Sequence, residues 1–145
     1  MKRVIDLFAG CGGFSNGFEK AGFEIVSAVE FDKNIALTYQ LNHPNTKLYV
    51  DDIKNIDNDH LFQENGSEII IGGPPCQGFS MAGSRIRNGF IDDPRNYLFK
   101  HYFNIVRIVH PKIFVLENVC KWWYNVLSFG KNREVREWLP IYYKN

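Results

Sequence analysis

The chain has no long apolar run, no surplus of charge and no paired cysteines, and each absence closes off a class of protein. Nothing approaches the roughly 20 consecutive apolar residues of a bilayer-spanning helix. The start, Met1-Lys2-Arg3-Val4-Ile5-Asp6, enters a strand-like run with an acid in it and lacks the features of a signal peptide. The expectation is a soluble, cytoplasmic chain with no membrane partner. Cys11, Cys76 and Cys120 are odd in number and widely spaced. They form neither a disulfide framework nor a paired metal spacing, which points to a reducing compartment. The formal net charge of +1 argues neither for nor against nucleic acid, because a basic patch can hide inside a balanced total. Internal repeats and low-complexity segments are also missing. What is present suffices for one domain with a real core: 145 residues, 45% hydrophobic and 15% aromatic.

Val4 to Phe8 reads as a first strand, Ala9-Gly10-Cys11-Gly12-Gly13 as a tight turn, and Phe14 to Ala21 as a helix stopped by Gly22. Strand, glycine turn and helix open a doubly wound fold, in which a ligand approaches the backbone beside a helix N-terminus. The dinucleotide pattern needs glycine at its sixth place, and here that place is Ser15. A nucleoside-type cofactor, a structural turn without ligand and, as a minor reading, NAD all remain open at this point.

Glu24 to Val29 gives a second strand with Glu30 at its end, where such folds commonly bind a ribose hydroxyl pair; a solvated glutamate is the plain alternative. Phe31 could pack on a base. Asp32 is placed to cap a helix over Lys33–Leu41, with Ile35, Ala36, Tyr39 and Leu41 as its apolar members. His43 reads as a turn residue. Lys47 to Val50 is a third strand; Asp51 and Asp52 after it suit capping or cofactor contact more than metal, since no third ligand is near. Residues 55–67 are loop-like, with Leu61 and Phe62 covering the sheet.

Ile69-Ile70-Ile71 is a buried strand, and Gly72-Gly73-Pro74-Pro75 then ends regular structure in front of Cys76. Proline fixes φ and removes an N–H, so the segment presenting Cys76 is stiff. Cys76 is either a small buried apolar residue or an aimed nucleophile. Residues 81–95 carry Arg85, Arg87 and Arg95 without hydrophobic periodicity, which suits phosphate contact or a solvated surface equally. Tyr97 to Val109 reads as an amphipathic helix and Ile113 to Leu116 as another buried strand ending in Glu117-Asn118. Cys76 and Glu117, at neighbouring strand ends, would supply a nucleophile and a proton donor. Beyond Asn118 the pattern weakens, with helix-compatible stretches at 121–129 and 131–138.

Asp6-Leu7-Phe8-Ala9-Gly10-Cys11-Gly12-Gly13-Phe14, Glu30, Asp52-Ile53, Gly73-Pro74-Pro75-Cys76-Gln77-Gly78-Phe79-Ser80 and Glu117-Asn118-Val119, in that order, resemble the DNA cytosine-5 methyltransferases. The match runs from about residue 4 to residue 119. The resemblance implies an open, doubly wound, mostly parallel α/β sheet of the Rossmann-like methyltransferase kind, with S-adenosylmethionine as cofactor. Phe8, Ala9, Gly10, Gly12 and Gly13 would cradle it and Glu30 would hold its ribose. Phe31 would pack on adenine, with Asp52 and Ile53 at the adenine edge; Pro75 and Leu98 would be further contacts. Cys76 would attack C6 of a cytosine flipped out of double-stranded DNA, and Glu117 would bind N3 and the amino group. Gln77, Ser80, Arg85, Arg87 and Asn118 would meet the substrate, and no metal is implied. Family members continue with a Gln-x-Arg-x-Arg block, a target-recognition region and a closing helix, none of which occurs here. The expectation is the C-terminally truncated, N-terminal part of a catalytic domain spanning residues 1–145: half of a split enzyme needing a second polypeptide, or the product of an interrupted gene. Its rivals are a non-catalytic cofactor-binding fragment and a nicotinamide-dependent oxidoreductase.

Overall fold

The computed structural model describes residues 2–56, 66–75 and 97–118. The chain divides into two compact units, Met1–Pro74 with Lys100–Glu117, and Pro75–Phe99 with Asn118–Asn145. The first holds the described sheet.

That sheet has five parallel strands in the order β3-β2-β1-β4-β5: β1 (Arg3–Leu7), β2 (Glu24–Glu30), β3 (Lys47–Val50), β4 (Ile69–Gly72) and β5 (Ile113–Leu116). The helices are α1 (Gly13–Lys20), α2 (Lys33–Asn42) and α3 (Leu98–Val109), with a short 3-10 turn at Ile53–Asn55. The doubly wound fold expected from the sequence is therefore present. Central strands of such a sheet are covered on both faces and so read as continuous apolar runs. Val4, Ile5, Leu7, Ile69, Ile70 and Ile71 are all buried. Val4, Ile25, Ile69 and Ile71 make one cluster, against which Phe14, Phe18 and Phe23 pack.

Two connections run outward from β1 through β2 to β3, and right-handed crossovers put both their helices on one face. Side-chain hydrogen bonds between α1 and α2 show that they share it, such as Ser15 Oγ to Tyr39 Oη at 2.8 Å. The order then reverses, so the switch point lies between β1 and β4, with Leu7 opposite Gly72. Ligands of open α/β sheets bind outside the carboxyl ends of the strands at such a point. Gly72 is required there, because a Cβ would lie 2.2 Å from the Leu7 carbonyl oxygen. On the β4–β5 side, the buried Tyr102 of α3 donates to the Val115 carbonyl at 3.0 Å, and its ring meets Phe103 and Phe114 edge-on.

Two expectations are corrected. Helix α2 buries Ala36 and Tyr39, but Ile35 is 38% and Leu41 83% exposed. Each residue turns the helix by about 100°, so Leu41 points nearly opposite Tyr39. Strand β5 is not a buried strand: Ile113 is 52% and Val115 37% exposed, because β5 is the last strand on its side of the described sheet. Residues 57–65, including Leu61 and Phe62, lie outside the described residues, as do the helical stretches expected at 121–129 and 131–138.

Candidate functional site

The glycine turn begins with a strained residue. Phe8 sits at φ 61°, in the left-handed region that bulky side chains avoid, and Gly10 and Gly12 follow at 58° and 90°. A residue held there costs of order 1–3 kcal/mol. The surroundings outweigh that cost. The Ala9 amide donates to the Val29 carbonyl at 2.9 Å, and the Gly10 amide donates to Glu30 Oε2 at 2.8 Å. Hydrogen bonds to a charged acceptor are worth about 1.5–3 kcal/mol each, enough to hold the strained corner.

Glu30 is the last residue of β2 and is 9% exposed. Its second oxygen, Oε1, accepts the Asp32 amide at 2.8 Å. An ionised carboxylate offers about four acceptor positions, so two remain for hydroxyl donors. Phe31, next along the chain, is 70% exposed and leaves an aromatic ring uncovered at the strand end. A Cβ placed on Gly10 or Gly13 would meet nothing within 4 Å. Among the described residues, the space beside these two glycines is therefore empty.

Asp32 caps α2 through Oδ1, which accepts the Asn34 and Ile35 amides at 2.8 and 3.2 Å. Asp52 caps the Ile53–Asn55 turn, accepting the Lys54 amide at 3.1 Å, while Asp51 accepts the Asp52 amide and the Asn55 side chain. The capping role weighed for these acids is thus present, and Ile53 is buried beneath. Among the described residues, no group of three or more His, Cys, Asp or Glu could hold a metal ion.

Behind the turn runs a buried polar chain that sequence reasoning missed. Ser15 Oγ donates to Asp6 Oδ2 at 2.7 Å. With its hydrogen committed there, Ser15 accepts from the Tyr39 hydroxyl. Burial pushes the Asp6 carboxyl up to about 6, against the opposing hydrogen bonds from Ser15. It likewise pushes the Tyr39 hydroxyl up to about 12. Serine at the sixth place of the turn is explained: it links strand, turn and α2.

His43 is the second omission. It is 3% exposed, its Nε2 donates to the Gly12 carbonyl at 3.1 Å, and its Nδ1 faces Glu19 Oε2 at 2.9 Å. Asn42 Nδ2 donates to the Cys11 carbonyl at 2.9 Å. A cavity of about 330 Å³ lies here, lined by Cys11, Gly12, Gly13, Asn16, Asn42 and His43. The separation of 31 residues between His43 and Gly12 leaves no local signal of this contact. Only the i, i+4 spacing of Tyr39 and His43, whose rings are 4.7 Å apart, is visible in the sequence.

At the other side of the switch point, Glu117 follows β5 and its amide donates to the Gly72 carbonyl at 3.0 Å. A Cβ on Gly73 would lie 3.3 Å from Glu117 Oε2, so glycine at 73 leaves the carboxylate its place. Glu117 is exposed, and its carboxylate makes no hydrogen bond to a described residue. Pro75, Leu98 and Asn118 belong to the second unit, and Leu98 is the first residue of α3. Cys76, Gln77, Ser80, Arg85 and Arg87 lie outside the described residues.

Comparison with known proteins adds to this geometry. The family model for C-5 cytosine-specific DNA methylase matches residues 2–136. The chain belongs to that family. Among its relatives, M1.HphI, a Type II methyltransferase of Haemophilus parahaemolyticus, is 45% identical over 120 residues, which cover 81% of this chain and 32% of that one. M.NgoPII, a Type II methyltransferase of Neisseria gonorrhoeae, is 49% identical over 117 residues, covering 81% and 33%. A prophage-encoded E. coli protein assigned as a DNA modification methyltransferase has a crystal structure similar to this one, with a TM-score of 0.76 and 33% identity. The match covers 96% of this chain and 38% of that one. The family member described here thus spans about a third of the length of the curated relatives it matches. The nicotinamide-enzyme alternative left open by the glycine turn falls with this membership. Among the described residues no helix is long and apolar enough to cross a membrane.

Proposed function

We propose that residues 1–145 form the N-terminal part of a DNA cytosine-5 methyltransferase catalytic domain, carrying its cofactor site and its nucleophile. The observation that carries this reading is Glu30. It closes the strained turn through the Gly10 amide, keeps two acceptor positions, and stands beside the uncovered Phe31 under open space. These features fit S-adenosylmethionine. Glu30 would accept its ribose hydroxyls, Phe31 would stack on adenine, and Asp52 and Ile53 would border the base. Phe8, Ala9, Gly10, Gly12 and Gly13 would face the rest, with Pro75 and Leu98 as further contacts. When bound, the cofactor supplies an electrophilic methyl group.

C5 of cytosine is a poor nucleophile. Cys76, as thiolate, would form a bond from its sulfur to C6 of a flipped base, while Glu117 delivers a proton to N3 and holds the amino group. The electron pair then becomes available at C5. Once C5 carries the methyl group, a solvent base would take the C5 proton as the C6–sulfur bond breaks and expels the thiolate, and N3 would return its proton to Glu117, restoring the neutral aromatic ring. Gln77, Ser80 and Asn118 would contact the target nucleotide, and Arg85 and Arg87 the phosphates. Double-stranded DNA is the substrate, and a polypeptide carrying the remaining two thirds of the relatives' length would be the partner.

Transfer of labelled methyl groups to duplex DNA, measured with and without the C-terminal part of a relative, tests the reading. Transfer is expected when the two are combined. Cys76→Ser should abolish covalent trapping on 5-fluorocytosine DNA and leave S-adenosylmethionine affinity nearly intact. A wild-type chain with no affinity for the cofactor, or a Cys76→Ser chain that still traps DNA, would overturn it.

A further inference from the structure

We propose that His43 is a positioning residue for cofactor binding, fixing the glycine turn from behind; this rests on the cofactor reading above. Three observations converge on it. The end of α2 reaches the turn by consecutive ties, Asn42 to the Cys11 carbonyl at 2.9 Å and His43 Nε2 to the Gly12 carbonyl at 3.1 Å. His43 is buried, and its other ring nitrogen faces the Glu19 carboxylate on α1 at 2.9 Å. Both ring nitrogens thus have an oxygen within hydrogen-bond reach, one on the turn and one on α1. Finally, the turn and the imidazole interlock: a Cβ on Gly12 would lie 2.2 Å from His43 Nε2, and Gly12 itself sits at φ 90°. The glycine serves the backbone conformation and the imidazole's access at once.

His43 therefore acts through Gly12 and not on the cofactor. With one carbonyl held by the imidazole and its neighbour by Asn42, the turn keeps its shape before any ligand arrives. A preformed site does not lose affinity to ordering a loop on binding. Tyr39 and Ser15 do the same for the start of α1, and the Tyr39 ring packs on His43, so the two sets of ties are coupled.

The test compares His43→Leu, which removes the donor, with His43→Gln, whose side-chain amide can still donate to the Gly12 carbonyl. Amide hydrogen exchange over residues 10–16 of the cofactor-free full chain reports the turn directly. Calorimetry with S-adenosylmethionine reports affinity, and urea unfolding reports global stability. Exchange at the turn should accelerate at least tenfold in His43→Leu, with affinity falling about tenfold. His43→Gln should stay within threefold of wild type on both. Unchanged exchange in His43→Leu would overturn the proposal, as would a His43→Gln no better than His43→Leu at equal stability. If His43→Leu does not fold, Asn42→Ala at its exposed position decides: about threefold faster exchange at the turn supports the tie, and no change refutes it. A wild-type chain that fails to bind the cofactor would sink the cofactor reading, while the exchange data would still judge His43.

Discussion

Glu30 and Glu117 both stand at the carboxyl ends of parallel strands, yet they are held in opposite ways. Glu30 is buried, and each of its oxygens accepts a backbone amide. Glu117 is exposed; only its own amide is tied, to the Gly72 carbonyl, and the carboxylate stands free of the described side chains beside Gly73. A carboxylate that must only accept is best fixed as an ion by N–H donors, which also orient it. One that must meet a substrate needs its oxygens uncommitted, and backbone donors clamped on both would leave fewer lone pairs for it. The contrast is one of surroundings, and it matches the two roles proposed for them.

The sharpest way to break this comparison is Glu117→Gln. Positioned proton transfer contributes about 10²–10⁴-fold. The substitution should cut the rate of single-turnover methyl transfer by a factor in that range in the complemented enzyme. Its unfolding free energy should stay within about 0.5 kcal/mol, as for an exposed site. A variant that keeps its rate would remove Glu117 from the chemistry.

Asp6 is the intermediate case, buried and bonded by the hydroxyl and the backbone of a single residue, Ser15. Its folded pKa, about 6, lies above the ordinary 3.8, so between those values the folded chain holds more protons than the unfolded one. Its contribution to stability is full below pH 4 and is lost as pH rises through 6. The loss is roughly 3 kcal/mol at 1.36 kcal/mol per pH unit. Asp6→Asn, compared with wild type by urea unfolding at pH 4 and pH 7, should flatten that fall. Parallel pH profiles would mean that Asp6 does not titrate in this window.

Glu30→Ala should weaken S-adenosylmethionine binding by about 1.5–3 kcal/mol, the range for hydrogen bonds to a charged group. Because it strands the Gly10 and Asp32 amides, it should also lower unfolding free energy, by about 1–3 kcal/mol. Calorimetry and urea unfolding separate the two effects. Unchanged affinity would refute the ribose role.

The sequence made much of this legible where one local rule decides. Ile69-Ile70-Ile71 announced a covered strand, Asp32 a helix cap, and Glu30 its place 20 residues past Gly10. It was silent where the deciding contact is remote. Nothing local says that β5 ends the described sheet, or that the imidazole of His43 meets Gly12 across 31 residues. Asp6 could be read as part of a motif, but not as a buried carboxyl relying on one serine, because Ser15 bonds it, and Tyr39 bonds Ser15, only once both helices lie on the same face.

Ser15 has a practical corollary for anyone wishing to recombine such domains. A loop grafted from a nicotinamide enzyme would bring glycine to that place. The Asp6 carboxyl would lose its hydroxyl donor, the Tyr39 hydroxyl would lose its acceptor, and a small void would open between strand and helix. The transferable module is therefore larger than the glycine-rich hexapeptide: it runs from the first strand through the last turn of the second helix, and shorter transplants should fold poorly.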